Sequence, residues 1–330
     1  MPKIAGAVAD SFAARFREHE DAWLSPLAVR SYATAGRVHE EEDSDLRTPF
    51  QRDRDRIVHS KSFRRLKYKT QVFIDPKGDH YRTRLTHTLE AVGISRGVAR
   101  ALRLNEDLTE AIALGHDLGH PAFGHTGEEA LDAALSGRFG RHFRHNEQSL
   151  RVVDVLERDG RGLNLTAEVR DGILHHTGPG TPTTLEGKIV RLVDRVAYIN
   201  HDIDDAIRAG VIAPDDLPTE DIEMLGDTGS RRIDALVHDI VAASADAGDI
   251  AQTEEVAHAM RNLRAFMFER VYLGPGAARQ RELAVATVQR IFDDLVARPE
   301  ELPADRPGDL ADRLGDYVSG MTDRFALAWR

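Results

Sequence analysis

The sequence predicts a helical fold with one small β-hairpin, and three observations carry that reading. Apolar residues recur at helical spacing along the 330-residue chain, with Leu89, Val92, Val98 and Leu102 as the clearest run. Strand-like segments are confined to 70–74 and 80–83, around the turn Asp75-Pro76-Lys77-Gly78-Asp79. From Gly210 onward the chain is acidic, Ala-rich and helical, with Pro, Gly and Asp connectors. The expected division is an N-terminal arm (1–46), a core carrying the chemistry (47–210) and a C-terminal helical region packed on it (211–330).

Composition narrows the function. No stretch approaches the roughly 18 apolar residues of a membrane span. The first twenty residues lack a secretory apolar segment, and the chain has no cysteine, so a cytoplasmic protein is expected. Asn164-Leu165-Thr166 matches a glycosylation acceptor by chance in that setting. A net charge of −11 argues against general nucleic-acid coating. Residues 47–103, however, hold fifteen Lys and Arg against five Asp and Glu. A basic segment on an acidic protein points to a localised anion, with phosphate the obvious candidate.

In chain order, the arm carries a short helical pattern near residues 12–23 and then polar and acidic residues. Segment 47–73 pairs an apolar stripe (Ile57, Val58, Phe63, Leu66) with Arg64, Arg65, Lys67 and Lys69, and ends near Gln71. Arginine is well shaped for bidentate phosphate contacts. A helix over 86–104 can be capped by Thr86, with Arg84 and His87 at its start. The next helix runs into LGHDLGHPAFGHTGE (114–128), where Gly119 and Pro121 break it. While that helix lasts, His116 and His120 share a face. His125 and Glu128 sit past the break. Further helices follow at 128–135, from His145, at 167–178 and at 186–206. His175 and His176 end one of them and read as cap or surface residues. Asp194, Tyr198, His201 and Asp202 fall on one face of the last, flanked by apolar residues. Carboxylates on such a face call for partners. Beyond these lie helical segments at 229–245, 253–272, 276–297 and 307–329.

Ten of the fifteen histidines fall between residues 80 and 201, about twice an even spread. With carboxylates nearby and no cysteine, this suggests a mixed N/O metal site. His87, the adjacent pair His116-Asp117, and Asp194 form a pattern H…HD…D on three helices, suited to a divalent ion with open positions. Such an ion lowers the pKa of a bound water and neutralises a phosphoryl oxygen. His120, His125, Glu128 and His145 are left for acid–base roles. The residues together imply metal-dependent hydrolysis of a phosphate ester.

Five ordered blocks, RDRDRIVHSKSFRRLKYKTQVF, DHYRTRLTHTLEAVGISR, LGHDLGHPAFGHTGEEALD, FRHNEQSLR and EGKIVRLVDRVAYINHDIDDA, resemble the deoxyguanosine triphosphate triphosphohydrolases of the HD-domain superfamily. The closing DYVSGMTDRFAL resembles that family's C-terminal block. A lone HD pair is a weak signal; five ordered blocks are a strong one. The resemblance implies an all-α fold, an HD-domain helical core, and hydrolysis of a deoxynucleoside triphosphate to deoxynucleoside and inorganic triphosphate by metal-activated water at the α-phosphorus. It places metal ligands at His87, His116, Asp117 and Asp194, and catalytic groups at His120, His125, Glu128 and His145. Gln71, Tyr198 and Asp202 match sugar-pocket residues, and Arg65 and Arg84 match phosphate contacts. Mg²⁺ or Mn²⁺ is the expected cofactor, with Fe, Zn, Co or Ni as alternatives. The expected partners are a dNTP substrate, an activating dNTP or single-stranded DNA effector, and further copies of the chain in a homo-oligomer. Ala122 departs from the family, which usually has proline in this turn, and segment 210–260 matches least well. The alternatives are an HD-type nucleotide phosphomonoesterase, which would need fewer cations than Arg64 to Lys69 provide, and a non-hydrolytic nucleotide sensor.

Overall fold

A computed structural model of the chain describes residues 12–71, 82–304 and 306–329. Among them the protein is all-α, and extended pairing is limited to two isolated antiparallel bridges, Arg37 with Thr166 and Thr70 with Thr83. Residues 72–81, which carry most of the expected hairpin, lie outside the described residues. No helix among the described residues is long and apolar enough to cross a membrane.

The arm's helix α1 (Phe12–Trp23) folds back on the body. Its buried Glu20 accepts hydrogen bonds from Ser31 and from Asn105 Nδ2, and Arg37 pairs with the fully buried Asp53. Helix α2 (Pro49–Val58) opens with a capping box between Thr48 and Gln51. Ser60 caps the short α3 (Lys61–Arg65). In α4 (Arg84–Ala101) the cap is Thr83, not Thr86. Thr86 instead returns its side chain to the Thr83 N–H, so the helix begins two residues earlier than its apolar pattern.

Asn105 caps α5 (Glu106–Gly115), which stops at Gly115 and leaves His116 to Gly119 as a turn. His116 and His120 therefore do not share a helical face. Conversely, α6 (Gly124–Phe139) starts before and runs past the expected helix at 128–135 and ends only at Gly140, a left-handed cap. Helix α7 (His145–Arg151) continues into a π-turn (Val152–Leu156) and a single turn, α8 (Glu157–Gly160). Then come α9 (Ala167–His175) and the long α10 (Leu185–Arg208).

The C-terminal region holds α11 (Thr219–Leu225), α12 (Gly229–Ala247), α13 (Glu254–Met267) with its π-turn (Phe268–Tyr272), and α14 (Pro275–Ala297). It closes with α15 (Leu310–Ser319) and α16 (Asp323–Leu327), where a break at residues 320–322 replaces the continuous helix expected over 307–329.

Three apolar clusters hold these helices together. One packs α10 against α4, α12 and α13 through residues such as Val193, Ile203, Leu236 and Leu263. A second joins α6, α14 and α15 through Leu131, Ile291 and Leu314. The third binds α2, α5 and α9 through Phe50, Ile112 and Ile173. Burying each such side chain contributes roughly 1.5–3 kcal/mol. The histidines and carboxylates gather on the ends and inner faces of α4, α5, α6, α7, α9 and α10.

Candidate metal and catalytic site

The turn after α5 is pinned on both sides. Ser149 of α7 donates to the His116 carbonyl (2.6 Å) and accepts from the Gly119 N–H (2.8 Å). A Cβ at Gly119 would stand 2.2 Å from the Ser149 nitrogen, so only glycine allows this approach. Lys69, buried, donates from Nζ to the His120 carbonyl (2.5 Å) and to the Ser319 carbonyl (2.8 Å). Asp323 of α16 accepts from Phe123 N–H, Thr70 N–H and the Thr70 hydroxyl. The C-terminal segment thus fixes the turn.

His116 is the C-cap of α5, and its Nδ1–H donates to the Ala113 carbonyl (2.7 Å). That turns Nε2 inward, buried and without a hydrogen-bond partner. Asp117 Oδ1 and Asp194 Oδ1 each lie 3.6 Å from this nitrogen, and Asp194 Oδ1 lies 3.0 Å from His87 Nε2. Donor atoms of His87, His116 and Asp194 fall within 4.8 Å of one another. Burial opposes ionisation of Asp117 and Asp194, yet His116 and His87, with Arg84 beside Asp117, hold both carboxyls well below the usual range. Burial would lower His116, but the two carboxylates push it up to about 9. Two buried carboxylates around an unpartnered imidazole nitrogen demand a positive charge, and this donor set suits a divalent cation.

Beside it lies a second layer. The rings of His120 and His145 stack at 4.0 Å and 17°. Glu128 accepts from His145 Nδ1–H (2.8 and 2.9 Å) and backbone N–H (2.7 Å), and sits 3.5 Å from His125 Nδ1. Burial would raise the Glu128 carboxyl, but these histidines hold it well below the usual range. His120 is pushed well below its usual value by burial and then by the Arg84, His145 and His125 charges, which leaves it neutral. His125 differs in being two-thirds exposed.

Arg84 is 1% exposed and donates from Nη1 to Asp117 Oδ2 (2.7 Å), while its Nε and Nη2 are buried without partners. Gln71 Oε1 and His120 Nδ1 are likewise buried and unpartnered. Gly124, at φ +58°, lets this group close: a Cβ there would stand 3.0 Å from the Gln71 carbonyl and 3.2 Å from Arg84 Nη2. On α10, Asp202 Oδ2 accepts from the Tyr272 hydroxyl, and the Tyr198 hydroxyl accepts from Arg264 Nε (2.9 Å). Burial pushes Asp202 up to about 7.

The structure brings together every expected site residue except Arg65. Arg65 is exposed and lines a separate cavity of about 310 Å³ with Lys69, Arg306, Arg313, Tyr317 and Phe325. Spacing alone did not reveal Lys69, Gly124, Arg264, Tyr272 or His176 as parts of this neighbourhood. His176, expected as a cap or surface residue, is 2% exposed, with its ring 5.0 Å from that of His116. Burial, then His116 and His145, push it down to about 3.

Residues 84–199 match the HD domain, and residues 250–330 match the phosphohydrolase-associated domain. The chain is similar to the deoxyguanosinetriphosphate triphosphohydrolase-like protein of Caldanaerobacter subterraneus subsp. tengcongensis, with 55% identity over 309 residues, 92% of this chain and 90% of that one. A protein of the same description from Clostridium perfringens strain 13 is 48% identical over 317 residues, covering 92% of this chain and 91% of its own. Among solved structures, a hypothetical protein from Aquifex aeolicus aligns at a TM-score of 0.48 and 21% identity, over 84% of this chain and 66% of that one.

Proposed function

We propose that this chain, which belongs to the deoxyguanosinetriphosphate triphosphohydrolase-like family of HD-domain proteins, hydrolyses a deoxynucleoside triphosphate to deoxynucleoside and inorganic triphosphate. One observation supports the reading above the others: unpartnered buried polar atoms converge here. They comprise two nitrogens of Arg84, the Gln71 amide oxygen, and ring nitrogens of His87, His116 and His120. Stranding such atoms is costly, so their concentration marks where a polar ligand belongs.

His87, His116, Asp117 and Asp194 would hold the divalent ion, which supplies Lewis acidity by lowering the pKa of a water and neutralising phosphoryl charge. The free Nε–H and Nη2–H donors of Arg84, with neutral His120, hold the triphosphate. Water attacks the α-phosphorus while the bond to the 5′-oxygen breaks. Overall, hydroxide joins the triphosphate and a proton joins the 5′-oxygen. His125 gives that proton: Glu128 lies 3.5 Å from its Nδ1, and its side chain is open to solvent. His145 fixes Glu128 from the other direction. Gln71, Tyr198 and Asp202, with Tyr272 holding Asp202, line the sugar pocket and exclude a 2′-hydroxyl.

Product identification with each of the four dNTPs and GTP, with Mg²⁺ or Mn²⁺, tests this by anion-exchange chromatography. The expected products are deoxynucleoside and intact triphosphate from at least one dNTP, with GTP cleaved far more slowly. Monophosphate plus pyrophosphate, or stepwise release of phosphate, would move the attack to another bond and remove the role given to His125.

A further inference from the structure

Two histidines in this site are built alike. His116 is the C-cap of α5 and His176 the C-cap of α9, and each donates its Nδ1–H to the carbonyl three residues back, Ala113 and Ile173, at 2.7 and 2.8 Å. Each thereby turns its Nε2 inward. Their surroundings then diverge. The His116 nitrogen is unpartnered between two carboxylates, whereas that of His176 lies 3.1 Å from His145 Nε2.

Proton accounting fixes what passes between those two nitrogens. His176 has its hydrogen on Nδ1, so its Nε2 can only accept, and His145 Nε2 must carry the hydrogen. The other nitrogen of His145 faces both oxygens of Glu128. His145 is therefore clamped between Glu128 and His176, its ring stacked on His120. Glu128 in turn engages His125. A chain of contacts runs from His176 through His145 and Glu128 to the group expected to protonate the leaving oxygen.

We propose that His176 is a positioning residue for triphosphate release: by accepting the Nε2–H of His145 it fixes that ring, and through Glu128 the aim of His125. The role rests on the hydrolase reading above. A residue acting through orientation changes the alignment reached in the transition state, so it moves kcat more than KM.

The test uses the full chain loaded with Mg²⁺ and compares His176→Leu, which removes the acceptor, with His176→Gln, which keeps an acceptor oxygen. Supporting partners of site residues typically contribute about 10–100-fold. The Leu variant should lose kcat in that range, with KM for the best dNTP within about threefold. Its bound metal, by elemental analysis, should match wild type, and the Gln variant should recover most of the loss. Equal losses in both variants, wild-type kcat in the Leu variant, or metal lost in step with activity would overturn the proposal. Histidine ¹⁵N–¹H spectra of wild type give a readout independent of turnover. A resonance assigned to His176, by its absence in the Gln variant, should show the hydrogen on Nδ1; a hydrogen on Nε2 overturns the hydrogen bond. If wild type cleaved no dNTP, the hydrolase reading would fall while these spectra still decided the contact.

Discussion

His120 and His125 lie five residues apart with ring centroids 5.2 Å from each other, yet one is sealed in and the other faces outward. A buried neutral imidazole suits holding an anion, and an exposed one suits exchanging protons with a leaving group. Leaving-group protonation typically contributes about 10²–10⁴-fold. His125→Ala should lower kcat by that order while bound metal, measured by elemental analysis, stays at the wild-type level. A full-rate variant would contradict the assignment. Lys69 offers a different test. Burial, followed by the Arg84 and Arg65 charges, pushes it from its usual 10.5 down to about 7. Between those values the unfolded chain binds a proton that the folded one has released, so stability rises with pH. The slope is at most about 1.4 kcal/mol per pH unit. Wild type should thus gain on Lys69→Met between pH 7 and 9 in chemical denaturation. A difference that is flat or shrinks with pH would show Lys69 charged throughout.

Among the elements, Gly124 carries the clearest constraint. Its φ of +58° favours glycine, and a side chain would press on the Gln71 carbonyl and Arg84 Nη2. Left-handed backbone costs a non-glycine residue roughly 1–2 kcal/mol. Gly124→Ala should show that loss in thermal unfolding, together with a raised KM from displaced Arg84; unchanged KM would mean Arg84 is not part of the substrate pocket. This is also where the sequence was least legible. Helices α4 and α10 are readable because long apolar stripes face a core, and Asp194, Tyr198 and Asp202 follow from their spacing on α10. The ends of α5 and α6 are not. Tertiary contacts set the end of α5, where Ser149 grips the turn and Gly119 must clear α7. Helix α6 continues through Gly137 because Leu131, Ala134 and Leu135 pack its buried face against α14 and α15, and Gly140 supplies the stop. The role of His176 is hidden in the sequence for a related reason. A histidine at a helix end looks the same in sequence whether its second nitrogen meets water or, as here, another imidazole.

At the scale of the whole molecule, the C-terminal helices and the histidine cluster form one structure. Lys69 bridges the His120 and Ser319 carbonyls, Asp323 ties residues 70 and 123 together, and Asp316 pairs with Arg151 at the end of α7. No spacing rule announces these roles, since each acid reads as part of an ordinary amphipathic helix until the fold sets it under the site. The histidine and carboxylate pattern, by contrast, was legible as a motif because each member sits near a helix end or on one helix face. All of it converges on one claim, that water attacks the α-phosphorus and the nucleoside departs with its 5′-oxygen. Hydrolysis in H₂¹⁸O tests that claim directly. Mass spectrometry should find one ¹⁸O in the released triphosphate and none in the deoxynucleoside. Label in the deoxynucleoside would mean cleavage on the carbon side of the 5′-oxygen, and label in free phosphate or pyrophosphate would mean attack at a different phosphorus.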